Sequence, residues 1–197
     1  MLASPGASAE TAEGVARQIE QRHARVTDLT ARFVQTYRSG MLGREVTESG
    51  HVSIKRPGRM LWEYRDPEKK TFVSDGSKLY FYVPADKQVV VRDQAGERGL
   101  PALLLSGRGH LLEDFEATLL EPADGAERLQ LRPRKQDPEI EQVILELDPE
   151  HRIRGIDVLD SQGNRSNFRF EDIRENTGLP DRLFRFEVPR GVEVVAG

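Results

Sequence analysis

Phe72-Val73-Ser74-Asp75-Gly76-Ser77-Lys78-Leu79 is the stretch that decides the fold. Two apolar β-formers run into an Asp-Gly pair, and the chain resumes with Leu79, Tyr80 and Phe81. Asp and Gly tolerate the backbone of a tight turn, so the pattern reads as a β-hairpin. The spacing predicts Phe72 opposite Leu79 on one face, with Phe81 continuing that face. Outward from this hairpin the same period of two recurs. Met60, Trp62 and Tyr64 share a face, as do Phe168 and Phe170, and Phe184, Phe186 and Val188. Strands are expected near 33–38, 50–56, 60–66, 70–74, 77–83, 87–92, 114–121, 127–133, 140–147, 152–159, 165–171 and 182–188. Glycine, proline or acidic turns separate them, as in an antiparallel sandwich or barrel. A sheet this wide must curl, split or close.

Two segments depart from that period. Residues 10–32 read as one amphipathic helix in which Val15, Ile19, Val26 and Leu29 form an apolar stripe beside Ala12 and Ala16. Glu10 and Glu13 fall in its first turn, where carboxylates favour the helix dipole, and His23 stands at the boundary of the stripe. The second segment is Gly99-Leu100-Pro101-Ala102-Leu103-Leu104-Leu105-Ser106-Gly107, with proline at a helix start and glycine after its end. So short and leucine-rich a helix is unstable alone in water and must lie against something apolar. If the sheet curls and the helices cover its mouth, a cavity lined by Met60, Trp62, Phe72, Phe81 and Phe186 results. A fully packed core fits the same periodicity, and the residues alone leave both open.

Composition removes most other functions. With 197 residues, 29 basic against 33 acidic side chains and a net charge of −4, the chain reads as one mildly acidic globular domain. It lacks the basic surface that nucleic-acid binding needs. No apolar run approaches the ~20 residues of a membrane-spanning helix. Zero cysteines exclude disulfides, thiolate metal sites and cysteine nucleophiles. His23, His51, His110 and His151 are scattered away from metal-ligand spacing, and no nucleophile elbow, P-loop or dinucleotide fingerprint occurs. No metal, cofactor or catalytic residue is therefore expected. Residues 1–9 read as a flexible N-terminal remnant before a single domain over 10–197. Ala7-Ser8-Ala9 is similar to a signal-peptidase site, but no apolar stretch precedes it to complete an export signal.

Several motifs in a fixed order resemble those of the LolA family of periplasmic lipoprotein carriers. They are Val26-Thr27-Asp28-Leu29-Thr30-Ala31-Arg32-Phe33-Val34-Gln35, then Lys55-Arg56-Pro57, Trp62-Glu63-Tyr64 and Ser74-Asp75-Gly76. The leucine-rich helix and a terminal Phe186-Glu187-Val188-Pro189-Arg190-Gly191 complete the set, and the likeness covers about 14–195. The resemblance implies an α+β fold, an incomplete, half-open antiparallel β-barrel of about eleven strands with a helical lid over an apolar cavity for acyl chains. It implies a cavity lined by Val15, Ile19, Val26, Phe33, Met60, Trp62, Tyr64, Phe72, Leu79, Phe81, Leu103, Leu104, Phe184 and Phe186. Arg56 would latch the lid, since a guanidinium offers five donors suited to helix carbonyls. The partners it implies are acylated lipoproteins, a loading inner-membrane ABC transporter complex and an outer-membrane acceptor. A periplasmic monomer without cofactor or enzymatic activity is the expectation. The absent cysteine argues against the lipid-anchored receptor of the same pathway. A carrier of another lipid, such as a glycolipid or pigment ester, and a lipid-sensing regulatory domain stand as alternatives.

Overall fold

Alternation of apolar and polar residues draws the chain into long hairpins, and the computed structural model describes residues 11–93, 105, 111–137 and 139–197 of the outcome. Helix α1 (Ala12–Arg25) precedes β1 (Asp28–Arg38), β2 (Glu45–Lys55), β3 (Arg59–Asp66), β4 (Lys70–Asp75), β5 (Lys78–Val83) and β6 (Gln88–Asp93). A short α2 (Leu111–Asp114) leads into β7 (Phe115–Ala123), β8 (Ala126–Pro133), β9 (Gln142–Leu147), β10 (Ile153–Leu159) and β11 (Arg165–Glu175). A 3-10 turn at Asp181–Phe184 and β12 (Glu193–Ala196) end the chain.

All twelve strands belong to one sheet in the order β12-β6-β5-β4-β3-β2-β1-β11-β10-β9-β8-β7. Two meanders, β1–β6 and β7–β11, are therefore sewn together where β1 pairs antiparallel with β11. The only parallel contact among these strands is β12 on β6. β7 and β12 do not meet, so the sheet stays open, and the twist of so many strands curls it into a half-barrel. Its concave face carries the main core, in which Phe33, Val52, Trp62, Leu129, Leu131, Leu145, Ile156, Phe168 and Phe170 pack with Val15, Ala16 and Ile19 of α1.

The convex face has a smaller core. Leu61 and Val73, one position out of phase with Met60, Trp62 and Phe72, meet Phe184, Leu179, Leu183 and Phe186 there. Residues 182–188 thus do not form the expected strand. Asp181 instead joins the 3-10 turn, held by ion pairs to Lys55 (2.6 Å) and Arg59 (3.0 Å), while the following residues fold across β3–β5. The last strand forms later, at 193–196. The hairpin at Asp75-Gly76 is real, with Phe72 opposite Phe81 and Ser74 opposite Leu79. This differs by two positions from the expected register. Because side chains alternate with a period of two, Phe72, Leu79 and Phe81 still share the concave side. Asp75 Oδ1 accepts from the N–H groups of Ser77 and Lys78, both at 2.8 Å, which moves the two central turn residues on by one, to Gly76-Ser77.

Gly50 sits where β2 shifts register against β3. A Cβ there would lie 2.0 Å from the Glu63 carbonyl oxygen and 3.0 Å from the Phe33 ring, so only glycine lets the wall close over that ring. Gly50→Ala is expected to cost about 2–3 kcal/mol, as overpacking against backbone does, read as a lowered urea midpoint with an unchanged m-value.

Candidate functional site

The inward residues of β1, β3, β4, β5 and β11 build an aromatic wall. The Phe33 ring meets Trp62 at 5.0 Å and Tyr64 at 4.8 Å between centroids, both edge-on. Trp62 continues to Phe168 at 5.7 Å and Phe170 at 6.3 Å, and Tyr64 to Phe72 at 5.7 Å. Phe72 stacks on Phe81 at 4.4 Å. Edge-on and offset contacts of this kind favour one arrangement of rings and make the wall stiff. It ends in a polar rim, where the Tyr64 hydroxyl donates to Gln35 at 2.6 Å and Lys70, paired with Glu48 at 2.6 Å, lies over the Tyr64 ring. Burial and the Glu48 charge push the Tyr64 phenol up, so it stays a neutral donor.

Helix α1 is the cover. Thr11 caps it by accepting from the Gly14 N–H at 3.1 Å, and Glu13 in the first turn favours the dipole. Val15, Ala16 and Ile19 are fully buried, whereas Glu13 and Arg17 face water. Glu20 accepts from the Leu111 N–H at 2.7 Å and so ties α1 to the start of α2. The helix ends at Arg25, earlier than expected, and Val26 is already extended. The physical reason lies in Asn176 and Asp28. Asn176 accepts from the Thr27 N–H at 2.8 Å and donates to the Arg25 carbonyl at 3.3 Å, satisfying groups that a longer helix would have used itself. The buried Asp28 carboxylate accepts from the Thr177 N–H, the Thr177 hydroxyl and the Gly178 N–H at 2.8, 2.9 and 3.0 Å. Burial alone would push that carboxyl up. The Thr177, Gly178 and Leu179 donors outweigh it and hold the group below the usual carboxylate range.

Cations gather under the end of α1. Arg22 reaches Glu175 and also donates to the Glu150 carbonyl at 3.2 Å, while its Nε is buried without a partner among the described residues. Arg56, just beyond β2, donates its backbone N–H to the Thr27 carbonyl at 2.9 Å. Its Nη2 is buried and, among the described residues, bonded to nothing; burial holds its pKa down. A histidine in the last turn of a helix ordinarily gains stability when charged. Here burial, then Arg56, then Arg22 win, and His23 is pushed down to about 4. Beside it a hollow of about 20 Å³ is lined by Arg22, His23, Val26, Leu105, Ile153 and Phe170. That volume suits one water, not a hydrocarbon tail.

Most of the expected lining residues come together. Val15, Ile19, Val26, Phe33, Met60 and Trp62 belong to the concave core, with Tyr64 and Phe72 packed against it. Leu79 and Phe81 share that side through their pairing with Ser74 and Phe72. Phe184 and Phe186 do not. They lie in the convex cluster, where Phe186 stacks on Tyr80 at 5.3 Å, because the turn at Asp181–Phe184 breaks the alternation that would have aimed them inward. Leu103 and Leu104 fall outside the described residues; Leu105 is helical and buried in the concave core. Sequence reasoning missed Leu129, Leu131, Leu145, Phe168 and Phe170 as part of this surface, although their alternation was visible, and missed His23 beside Arg56.

A family model described as "Outer membrane lipoprotein carrier protein LolA" matches residues 24–187. The outer-membrane lipoprotein carrier protein of Chromohalobacter salexigens is 33% identical over 189 residues, which cover 95% of this chain and 90% of that protein. Its counterpart in Pseudomonas fluorescens is 33% identical over 171 residues, covering 85% and 81%. Among solved structures, an uncharacterized conserved protein from Thermus thermophilus superposes with a TM-score of 0.59 at 15% identity, covering 94% of this chain and 99% of that one. A DUF1329 family protein from Desulfovibrio piger gives 0.51 at 13% identity, covering 89% and 98%. Both share the fold. An open, curled antiparallel sheet whose apolar face is covered by a helix defines the class as half-open, helix-covered barrels. Within that class, the chain belongs to the LolA outer-membrane lipoprotein carrier family, whose members are carriers and not enzymes.

The depressed His23 predicts a pH response. The unfolded histidine binds a proton near pH 6.5, whereas the folded one resists until about pH 4, so stability falls as pH drops through that window. His23→Gln is expected to remove this part of the pH dependence. Denaturant midpoints of both proteins, measured from about pH 7.5 down to about pH 4, check it.

Proposed function

We propose that the chain carries lipoproteins across the periplasm by exchanging the apolar stripe of α1 for their acyl chains on the concave face. One observation carries the mechanism: Val15, Ala16 and Ile19 of a helix outside the sheet are fully buried, packed over α2, β7 and β8 in the same concave core as the aromatic wall. The names of the relatives support the cargo, since they are outer-membrane lipoprotein carrier proteins.

Energetics favour such an exchange. Each methylene taken from water contributes about 0.8 kcal/mol, so a free acyl chain does not cross an aqueous space unshielded. Lifting α1 exposes its valine and isoleucine at about 1.5–3 kcal/mol each. That cost is smaller than the gain from a long acyl chain, and it weakens net binding enough for release. The lining set is then Val15, Ile19, Val26, Phe33, Met60, Trp62, Tyr64, Phe72, Leu79 and Phe81. Arg56 acts as the latch. It stands beside the last turn of α1, and its Nη2, unpartnered among the described residues, is a donor that a shifted helix carbonyl or a cargo ester carbonyl satisfies. An inner-membrane ABC transporter supplies the energy for loading, an outer-membrane acceptor receives the cargo, and the carrier works as a monomer.

Lipids co-purified from the native periplasm should be triacylated peptides by mass spectrometry; free glycolipids in their place would overturn the cargo assignment. Arg56→Leu should load cargo yet slow handover to the acceptor about tenfold or more, the worth of a charged hydrogen bond. Unaltered transfer by that variant removes the latch.

A further inference from the structure

The β1–β2 hairpin outruns its neighbour. β3 stops pairing at Asp66 opposite Ser49, so Glu45–Glu48 of β2 and the loop beyond stand clear of it. At the tip Met41 is 91% exposed and Leu42 69%. Directly behind them Tyr37 and Val46 pair across the hairpin, 39% and 47% exposed. The loop is not loose. Gly43 N–H donates to the Ser39 carbonyl at 2.9 Å, and Gly40 N–H to Asn164 Oδ1 at 3.0 Å. Gly40 also lies so close to the β10–β11 turn that a Cβ would fall 2.5 Å from the Gly163 carbonyl oxygen. Two consecutive large apolar side chains are thus held out in water on a braced support, and the fold itself gains nothing from them.

Charge says what covers them. Arg38 and Arg44 flank the tip and, among the described residues, neither has an ion-pair partner. The acidic groups nearby are Glu45, opposite Arg38 in the ladder; Asp157, paired with Arg165 at 2.8 Å; and Asp160, which accepts from the Gln162 and Asn164 N–H groups at 2.8 and 2.9 Å. Two uncommitted guanidiniums beside two uncommitted apolar side chains stand out in a chain of net charge −4. We propose that this tip docks on an anionic phospholipid surface, Met41 and Leu42 entering the headgroup layer while Arg38 and Arg44 meet lipid phosphates. Guanidiniums flanking a few inserted apolar side chains are the usual chemistry of weak, reversible interfacial binding. A narrow projecting tip also offers no groove or flat area to a folded protein partner.

The placement has a consequence that rests on the carrier reading. Tyr37 shares the inward side of β1 with Phe33 and Gln35, so the tip continues the end of the concave face. Docking there turns the open end of the half-barrel toward the bilayer from which acyl chains come.

Co-flotation of the full chain with vesicles of phosphatidylethanolamine and phosphatidylglycerol tests this, against vesicles of phosphatidylcholine alone. The wild type should float with the anionic vesicles and less so at high salt. Met41→Asp with Leu42→Asp should cut the bound fraction about tenfold, and Arg38→Gln with Arg44→Gln should erase the preference for anionic lipid. These positions are exposed, and an unchanged near-ultraviolet signal from buried Trp62 confirms folding. Absent flotation of the wild type, or equal flotation of the aspartate variant, overturns the proposal. So does a tip variant that fails only in handover to a protein acceptor, which would make the tip a protein contact. Lipopeptide binding in vesicle-free solution reads the carrier function separately and should be unchanged in every variant.

Discussion

A single sheet with one apolar face too wide to leave in water is the constraint behind the rest of this molecule. No second sheet packs on the concave side among the described residues, so the hydrophobic effect must recruit another element to cover it. Helix α1 does this with Val15, Ala16 and Ile19, joined by Leu105 and Leu111. The demand for cover also explains the C-terminal segment. Leu61 and Val73 point outward from the same strands that carry Met60, Trp62 and Phe72 inward, and the chain after β11 folds back to bury them under Phe184.

Polar contacts set where that cover is fastened. At its C-terminal end α1 is held by Arg22 to Glu175 and by Asn176 bridging the Arg25 carbonyl and the Thr27 N–H. Asp28, one strand residue later, organises the loop at Thr177 and Gly178. The same corner concentrates like charge. Arg22 and Arg56 each keep a buried N–H without a partner among the described residues, and both disfavour a proton on His23. A buried donor left unmade costs about 1–3 kcal/mol. The helix end is therefore fastened by hydrogen bonds and the Arg22–Glu175 ion pair beside two buried N–H groups left unmade among the described residues.

Much of this was legible in the residues, and the failures have identifiable causes. The inward set Met60, Trp62, Tyr64 followed from strict alternation, which survives even the two-position register difference at Asp75-Gly76. Alternation at Phe184, Phe186 and Val188 misled, because nothing local distinguishes a strand from a turn whose residues fall on the same phase by chance. The helix was drawn too long for a similar reason. Val26 and Leu29 do bury toward the same core as Val15 and Ile19, but from extended backbone; the helical stripe and the strand that follows it converge on one surface. What ends the helix is Asn176, 149 residues beyond the Thr27 it caps, and no local pattern reports that. The His23–Arg56 proximity is equally non-local. So is the space left on the concave face, since periodicity specifies which side chains face inward and not how much room remains between them.

Burial of α1 in the concave core shapes how the proposed exchange works. In the proposed exchange cargo displaces α1 from that core, and the hollow of about 20 Å³ beside His23 has room for about one water. The surface left behind is asymmetric. Phe33, Trp62, Tyr64, Phe72, Phe168 and Phe170 hold one another edge-on or stacked, so the wall keeps its shape when the cover leaves. The cover is held by small aliphatic side chains that lack directional contacts, together with polar ties from Glu20 and Arg22 in its C-terminal half. Hydrocarbon replacing valine and isoleucine in the same concave core is chemically close to an even exchange. Net affinity then depends on the length of chain shielded beyond what α1 already covered, less the cost of remaking the ties at its end. A preformed empty cavity would bind every chain with the full transfer energy and release it slowly. A face covered by α1, opened against its own core, keeps only the difference, and a small difference is what permits handing cargo onward.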